Sequence, residues 1–335
     1  MLDVLCLTKY DWANSVFRYV KCLKSLGLKV IFFKGESHHF SYPEQGMIHP
    51  AIGNAPPHTC LGQHPLIVKV PELKKLAEKA KVIHYFASNF IDTGADLSGK
   101  KVIGQHGGSM YRQDPDAVNA FFNPIVDATI IQCPDLLGLG AKNEHLVYYP
   151  VDTDYIIPDF RRKNKKLLIG HFPSYTESKG TNTILKVIRG LNGKVKDRFE
   201  YVGIETPMAQ NLSWLEHLKR VNDCDILIET CNPIFMGKQF GAFGNAALEA
   251  AALGKIVVTN DLYQNIYKKE YGDCELVIAN NGNELKNVLT KLLSLSDDEI
   301  LEKKRKTREW AERNHSIPVT AKRLFDKIYG DLLNA

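Results

Sequence analysis

The chain has 335 residues, of which 44% are hydrophobic and 24% are charged, and its formal net charge is +5. A chain of this length is longer than a single hydrophobic core usually supports, so two domains are expected. The composition excludes a disordered or fibrous protein. No apolar run approaches the roughly 20 residues that span a bilayer, and no targeting signal opens the chain, which indicates a cytoplasmic protein without a transmembrane segment.

Short apolar runs alternate with helical patterns in the first half of the chain. The run LDVLCL predicts a strand, apolar residues at helical spacing before Gly27 predict a helix, and VIFF predicts a second strand. Further strands are predicted at 81–86, 101–104, 128–132 and 145–149. Because such alternation is typical of a parallel sheet covered by helices, we expect residues 1–150 to form a Rossmann-like N-terminal domain.

A second alternation follows a polar, proline-containing segment after Pro150. Strands are predicted at 167–170, 199–203, 226–229 and 256–259. Helices are predicted at 180–190, 212–221 and 245–253, and three more run from 283 to 333. We therefore expect a second Rossmann-like domain over 151–315 and a terminal helix within 316–335, with the active site in the cleft between two doubly wound α/β halves.

Several familiar site motifs are missing from the sequence. KYDWANS follows the first strand where a dinucleotide site would have GxGxxG, and no GxxxxGK[ST] occurs, so neither a nicotinamide cofactor nor a P-loop is supported. The seven cysteines are scattered without a CxxC pair. The Asp-x-Asp triplet at 152–154 lies in the interdomain segment, and no metal site is expected.

The segment 240–260, FGAFGNAALEAAALGKIVVTN, carries the strongest signal. Its small residues Gly241, Ala242 and Gly244 precede an alanine-rich helix, whose first amides can donate to phosphate or sugar hydroxyls. Glu249 lies two helical turns on in an apolar stretch, where a buried carboxylate needs a hydrogen-bonded partner. A ribose diol fits that need, although a solvent-facing or loop-capping Glu249 fits the pattern equally well.

Two further segments place polar residues after predicted strands. In the segment 169–191, IGHFPSYTESKGTNTILKVIRGL, Lys179 precedes a glycine at the start of a predicted helix. At this position the lysine either binds a phosphate or is an exposed surface residue. In 104–112, GQHGGSMYR, His106 lies in a glycine-rich turn at a strand end, where it is either structural or functional.

Together these segments resemble the retaining glycosyltransferases of family 4 (glycosyl transferases group 1). The resemblance implies the GT-B fold, in which two Rossmann-like domains face each other and the C-terminal helix crosses back to the first domain. It also implies transfer of a sugar from a nucleoside-diphosphate sugar to an acceptor hydroxyl with retention of configuration. Neither a metal nor a cofactor is needed in that family.

The resemblance also implies roles for individual residues. Lys179 contacts the diphosphate and His106 the donor sugar, as the catalytic pair, while Glu249 binds the ribose. The donor loop consists of Gly241, Ala242, Phe243, Gly244 and Asn245.

Two residues usual in the family are replaced. The first of its two glutamates falls on Gly241, and its diphosphate-binding arginine falls on Ser174. Lys238 or Arg112 is a candidate substitute for that arginine.

On the acceptor side the resemblance is weaker. The segment 9–20 resembles the family's first loop, but Ala13 and Asn14 replace its paired glycines. Lys9, Asn14 and Arg112 are the candidate acceptor residues. The acceptor is expected to be a glycan or a lipid-linked sugar, with a hydroxylated base in DNA as the alternative.

A DNA acceptor would be attracted by the basic runs 161–166 and 303–308, which are otherwise a solvated loop and a solvated helix face. Other open functions are a nucleotide-sugar hydrolase or epimerase and a non-catalytic nucleotide-sugar-binding subunit. The sequence indicates neither the donor's base and sugar nor the oligomeric state.

Overall fold

A computed structural model describes residues 2–53, 65–161, 164–205 and 212–334. The chain divides into two units. Unit 1 comprises Met1–Pro150 and Ile317–Ala335, and unit 2 comprises Val151–Ser316.

The strands and helices follow one another along the chain with these bounds. The strands are β1 (Leu2–Leu7), β2 (Val30–Lys34), β3 (Met47–Ile48), β4 (Leu66–Lys69), β5 (Ala80–Tyr85), β6 (Asn89–Asp92), β7 (Lys101–His106), β8 (Ala128–Ile131), β9 (Glu144–Leu146), β10 (Leu167–Gly170), β11 (Phe199–Tyr201), β12 (Ile226–Ile228), β13 (Ile234–Phe235), β14 (Lys238–Gln239), β15 (Ile256–Thr259) and β16 (Val277–Ile278). The helices are α1 (Ser15–Ser25), α2 (Pro50–Gly53), α3 (Lys74–Lys79), α4 (Gly108–Gln113), α5 (Pro115–Phe122), α6 (Thr176–Lys179), α7 (Thr181–Gly190), α8 (Trp214–Asp223), α9 (Asn245–Ala252), α10 (Gln264–Tyr271), α11 (Gly282–Ser294), α12 (Asp297–His315), α13 (Ile317–Leu324) and α14 (Gly330–Asn334). A π-helical turn, Phe325–Tyr329, joins the last two helices.

Unit 1 is built on a parallel sheet. Within the described residues the sheet has seven strands in the order β3-β2-β1-β5-β7-β8-β9, and β4 pairs with β6 separately. The central strands β5, β7 and β8 are buried along most of their length, as is usual for a parallel sheet with helices on both faces. Ile317, Leu324 and Tyr329 share one buried cluster with Val4 and Tyr19, so the end of the chain belongs to the core of unit 1.

Unit 2 contains a second parallel sheet. Its five strands, counted over the described residues, have the order β11-β10-β12-β15-β16, and β13 and β14 form a small antiparallel hairpin beside it. Strands β10, β12 and β15 are buried along their length. Their carboxyl ends are the edge at which ligands bind in such sheets.

Side-chain caps fix where three helices of unit 2 begin. Ser213 and Glu216 form a reciprocal capping box, as do Ser296 and Glu299, and the Asn281 side chain accepts from two amides of α11. The helix predicted over 212–221 therefore begins at Trp214, because Ser213 is its cap. None of the described helices combines the length and the apolar character that crossing a membrane requires.

Candidate functional site

The glycine loop of unit 2, residues 240–244, leads directly into α9. Gly244 is the N-cap of that helix, with extended backbone, and Ala242, Gly244 and Asn245 are partly exposed. Phe243 differs, since its side chain is fully buried. Its ring packs against Tyr267, Trp310 and His315, with centroids 5.4, 5.9 and 6.3 Å away. The Phe243 side chain therefore anchors the loop, and only the backbone of this residue can face a ligand; binding of the donor by the loop stays a prediction.

Gly241 is buried and has no room for a larger residue. A Cβ added there would lie 2.8 Å from Cβ and 2.9 Å from Cγ of Leu262. Moreover, the Gly241 carbonyl accepts from the Leu262 amide at 2.8 Å, so the two segments are tied together. The packing of this loop against Leu262 therefore requires glycine at the position where the family commonly has its first glutamate.

Lys179 ends the short helix α6 at the edge of the sheet. The next residue, Gly180, has φ +68°, and a Cβ there would lie 2.5 Å from the carbonyl oxygen of Cys231. Only glycine suits this position, because it combines a left-handed backbone with a close approach of another chain segment. The Lys179 carbonyl accepts from the Cys231 amide at 3.1 Å, which fixes the lysine's backbone to the loop after β12.

The Lys179 ammonium forms an ion pair with Glu229 Oε1. The exposed fraction is 19% for the lysine side chain and 1% for the glutamate side chain. Glu229 Oε2 accepts from the Thr259 hydroxyl at 2.8 Å. A Cβ added at Gly244 would lie 3.8 Å from Glu229 Oε1, so the pair lies against the start of α9.

Glu229 belongs to none of the sequence motifs described above. The predicted strand 226–229 includes it, whereas β12 ends at Ile228 and the carboxylate comes directly after the strand. A charged residue ending an otherwise apolar strand was the available signal, since strand ends meet at the functional edge of a parallel sheet.

Glu249 is buried on the second turn of α9, with 4% of its surface exposed. Its Oε1 accepts from the Trp214 indole nitrogen at 2.9 Å, and Tyr155 stacks on that indole at 5.5 Å. A solvent-facing Glu249 is therefore excluded, and the hydrogen-bonded partner that its burial demands includes Trp214. Its binding of a ribose stays a prediction.

The residues around the expected diphosphate site differ in their exposure to solvent. Ser174 is exposed in the loop between β10 and α6, and Lys238 is exposed on the hairpin strand β14. His171 is buried beneath this loop, bonded to the Ile228 carbonyl at 2.8 Å and to the Thr181 hydroxyl at 2.9 Å. Burial lowers the pKa of His171 to about 4, so its ring is neutral at physiological pH.

In unit 1, His106 ends β7 and is fully buried. Its Nδ1 lies 3.1 Å from the Ser88 hydroxyl, and its ring stacks on Tyr111 at 4.6 Å. Burial lowers the pKa of His106 to about 3, so the ring is a neutral hydrogen-bonding group and not a proton-donating acid. Its contact with the donor sugar stays a prediction.

The candidate acceptor residues are held inside unit 1. Lys9 is buried, with its ammonium 5.2 Å from the centroid of the Tyr10 ring. Asn14 donates to the Glu44 carbonyl at 2.9 Å. Asn14 and Ala13 have φ 53° and 54°, so they adopt the left-handed conformation that the family's glycines favour.

Arg112 pairs with the buried Asp135 in unit 1. Its Nε lies 2.7 Å from the Asp135 Oδ2. Burial raises the pKa of Asp135, and the guanidinium opposes that rise. This contact engages the guanidinium that was suggested as a substitute for the missing arginine.

The basic run 303–308 is partly structural, since Lys303, Arg305 and Lys306 are exposed whereas Lys304 and Arg308 are buried, which corrects its interpretation as one solvated face. Lys304 is buried and pairs with Asp225 at 3.0 Å. Arg308 is also buried and donates to the carbonyls of Thr153, Ile156 and Ala252. In the other run, Arg161 is paired with Asp159, and positions 162 and 163 lie outside the described residues.

Potential metal ligands do not gather in the described part of the chain. No group of three or more His, Cys, Asp or Glu side chains is arranged there to hold a metal ion.

Comparison with known proteins supports the fold of the chain and identifies a family match within the second half of the sequence. Residues 158–313 match the family of glycosyl transferases group 1. The solved structure of Alr3699/HepE from Anabaena, in complex with UDP and glucose, has a TM-score of 0.63 at 11% identity, covering 98% of this chain and 100% of its own. A glycosyltransferase from Rickettsia africae ESF-5 gives 0.64 at 14% identity, covering 99% of this chain and 98% of its own. No curated protein matches the sequence.

A third solved structure extends the similarity across the whole chain. The sucrose-phosphate synthase (tll1590) from Thermosynechococcus elongatus has a TM-score of 0.62 at 15% identity and covers 100% of both chains. The two parallel α/β units and the matched family confirm the expected GT-B fold. The chain therefore has the GT-B fold, and its residues 158–313 match the family of glycosyl transferases group 1.

Proposed function

We propose that the chain transfers a sugar from a nucleoside-diphosphate sugar to an acceptor hydroxyl, with retention of configuration and without a metal ion. One observation supports this most. The Lys179 ammonium is paired with Glu229 and lies against the start of α9. The small residues Ala242 and Gly244 leave the backbone accessible there. A cation beside helix-start amides is suited to a diphosphate.

The donor's parts are assigned to residues of unit 2. Lys179 and the first amides of α9 hold the diphosphate, and Glu249 accepts from the ribose hydroxyls. Catalysis consists mainly of stabilising the charge that grows on the diphosphate as the glycosidic bond breaks. Because that charge is larger in the transition state than in the bound donor, Lys179 contributes more to turnover than to affinity.

The reaction exchanges one bond for another at the anomeric carbon. The bond from this carbon to the diphosphate oxygen breaks, and the acceptor oxygen forms the new bond on the same face. The acceptor proton passes to an oxygen of the leaving phosphate. No side chain of the enzyme forms a covalent bond with the sugar.

A sugar acceptor is favoured over DNA. Lys304 and Arg308 are buried and hydrogen-bonded, so the run 303–308 offers fewer charges to a phosphate backbone than its sequence indicates. The acceptor is therefore proposed to be a glycan or a lipid-linked sugar.

A panel of UDP, GDP, ADP and CDP sugars tests the function directly. UDP-glucose is the first probe, because a structural relative was solved with it. Nucleotide release should require an acceptor fraction, and the product should keep the donor's anomeric configuration. Equal release without acceptor would favour a hydrolase, and binding without any release would favour a non-catalytic subunit.

Metal independence gives a separate prediction. Donor affinity and turnover are expected to be unchanged in excess EDTA, because Lys179 and backbone amides supply the positive charge that a divalent ion supplies elsewhere. Calorimetry and a release assay, each with and without EDTA, measure this. Activity lost to the chelator and restored by magnesium or manganese would contradict the mechanism.

Replacing Glu249 with alanine is expected to weaken nucleotide-sugar binding by about 1–3 kcal/mol, because the ribose hydroxyls lose their acceptor in a closed site. Calorimetry measures the affinity, and a melting curve checks that the protein remains folded once the Trp214 indole loses this partner. Glu200→Ala, which removes an exposed carboxylate on β11, is the matched control and should bind like the parent. Parent-like affinity in folded Glu249→Ala would mean that the ribose lies elsewhere.

A further inference from the structure

We infer that Glu229 is a positioning residue that acts through Lys179 and holds its ammonium at the start of α9; this rests on the proposed function. The carboxylate follows β12, and the sequence motifs shared with the family do not include it. Its two oxygens are directed to different elements, one to Lys179 and the other to the Thr259 hydroxyl at the end of β15. Glu229 therefore links the lysine to two adjacent strands of the sheet.

The backbone around the pair is equally constrained. The Glu229 amide donates to the Val258 carbonyl at 2.8 Å, and the Cys231 amide donates to the Lys179 carbonyl at 3.1 Å. Residues 229–231 thus fix both the main chain of Lys179 and the end of its side chain. Fixing a lysine side chain costs about 2 kcal/mol of rotamer entropy. Because Lys179 is already fixed in the folded protein, this cost does not reduce the free energy of donor binding.

The carboxylate also limits the net charge of the site. An ion pair as buried as this one is neutral overall, so Lys179 attracts an incoming diphosphate less than a lone ammonium would. Glu229 therefore does not add to nucleotide affinity. Its contribution is to the position of the cation, which matters when the glycosidic bond breaks, since a displacement of about 1 Å at a catalytic group costs about 100-fold in rate.

A double-mutant cycle tests this inference, with UDP-glucose as the probe. Glu229→Gln keeps the shape of the side chain and is expected to lower kcat by about 10- to 100-fold, while KM does not rise. In a Lys179→Ala background the same substitution should have almost no further effect on kcat, because the residue through which Glu229 acts is gone. Glu177→Gln, an exposed carboxylate on α6, is the matched control and should behave like the parent.

A second measurement does not depend on turnover. The rate at which acetic anhydride acetylates Lys179, followed by mass spectrometry, should rise in Glu229→Gln and stay at the parent value in Glu177→Gln. An unchanged rate, or equal loss of kcat from Glu229→Gln in both backgrounds, would overturn the positioning role. If the parent instead turns over no sugar nucleotide of the panel while the acetylation result holds, it is the proposed function that fails.

Discussion

Replacing Lys179 with alanine is expected to lower kcat by about 100- to 1,000-fold, the usual effect of losing one charge-stabilising donor at a developing anion. The nucleotide-sugar Kd should change much less, because the charge on the diphosphate is larger in the transition state than in the bound donor. Single-turnover rates and calorimetric affinities on the same preparations separate the two effects. Equal losses in affinity and rate would mean that Lys179 binds ground and transition states alike.

The control for this variant must account for folding. Without Lys179, the Glu229 carboxylate stays buried beside Thr259 with no countercharge, which destabilises unit 2. Lys179→Ala combined with Glu229→Gln should recover stability without recovering turnover. Lys186→Ala removes an exposed lysine from α7 and should leave both stability and turnover unchanged. A folded Lys179→Ala with the parent's kcat would place the diphosphate elsewhere.

The main strands could be predicted because each is an apolar run bounded by polar residues. The predicted strands at 167–170 and 256–259 coincide with β10 and β15. The hairpin of β13 and β14 could not be predicted, because two-residue, partly exposed strands carry no periodicity. The same holds for β3, a two-residue strand with both side chains exposed.

The glycine loop 240–244 could be located from the sequence, but the directions of its side chains could not. A glycine-aromatic-glycine pattern indicates where bare backbone meets a helix, and it does not indicate that the Phe243 ring packs inward against Trp310. The ion pair of Lys179 and Glu229 joins residues fifty positions apart, so only the folded sheet brings them together. The sequence alone therefore identified Lys179 as a candidate site residue but could not identify Glu229 as its partner.

The paired glycines of the family's first loop illustrate a different limit. Their loss in this sequence indicated a changed loop, yet Ala13 and Asn14 adopt the same left-handed backbone. The Asp11 carboxylate accepts from the Val16 and Phe17 amides at 2.8 and 3.1 Å, which fixes the start of α1 from the other side. The backbone path is thus stabilised by a neighbouring residue, at a cost of about 1–2 kcal/mol for each strained position.

Replacing Lys304 with alanine is expected to lower the free energy of unfolding by about 3–5 kcal/mol, although the residue lies in a run of basic residues that looks like solvated surface. Its ammonium is buried and pairs with Asp225 Oδ1 at 3.0 Å, and Oδ2 of the same carboxylate accepts from the Leu168 amide at 3.0 Å. Asp225 thus ties α12 to the start of β12 and to β10. Without the lysine, a negative charge stays buried with one amide to stabilise it.

Lys303→Ala is the matched control for this effect. Lys303 is the preceding residue of α12 and is exposed, so its removal should change stability by less than about 0.5 kcal/mol. Urea unfolding followed by circular dichroism measures both variants. Helical periodicity explains the difference, because Lys304 and Arg308 are four residues apart and share the buried face with Ile300 and Ala311. Equal stability of the two variants would mean that the pair of Lys304 with Asp225 contributes nothing to folding.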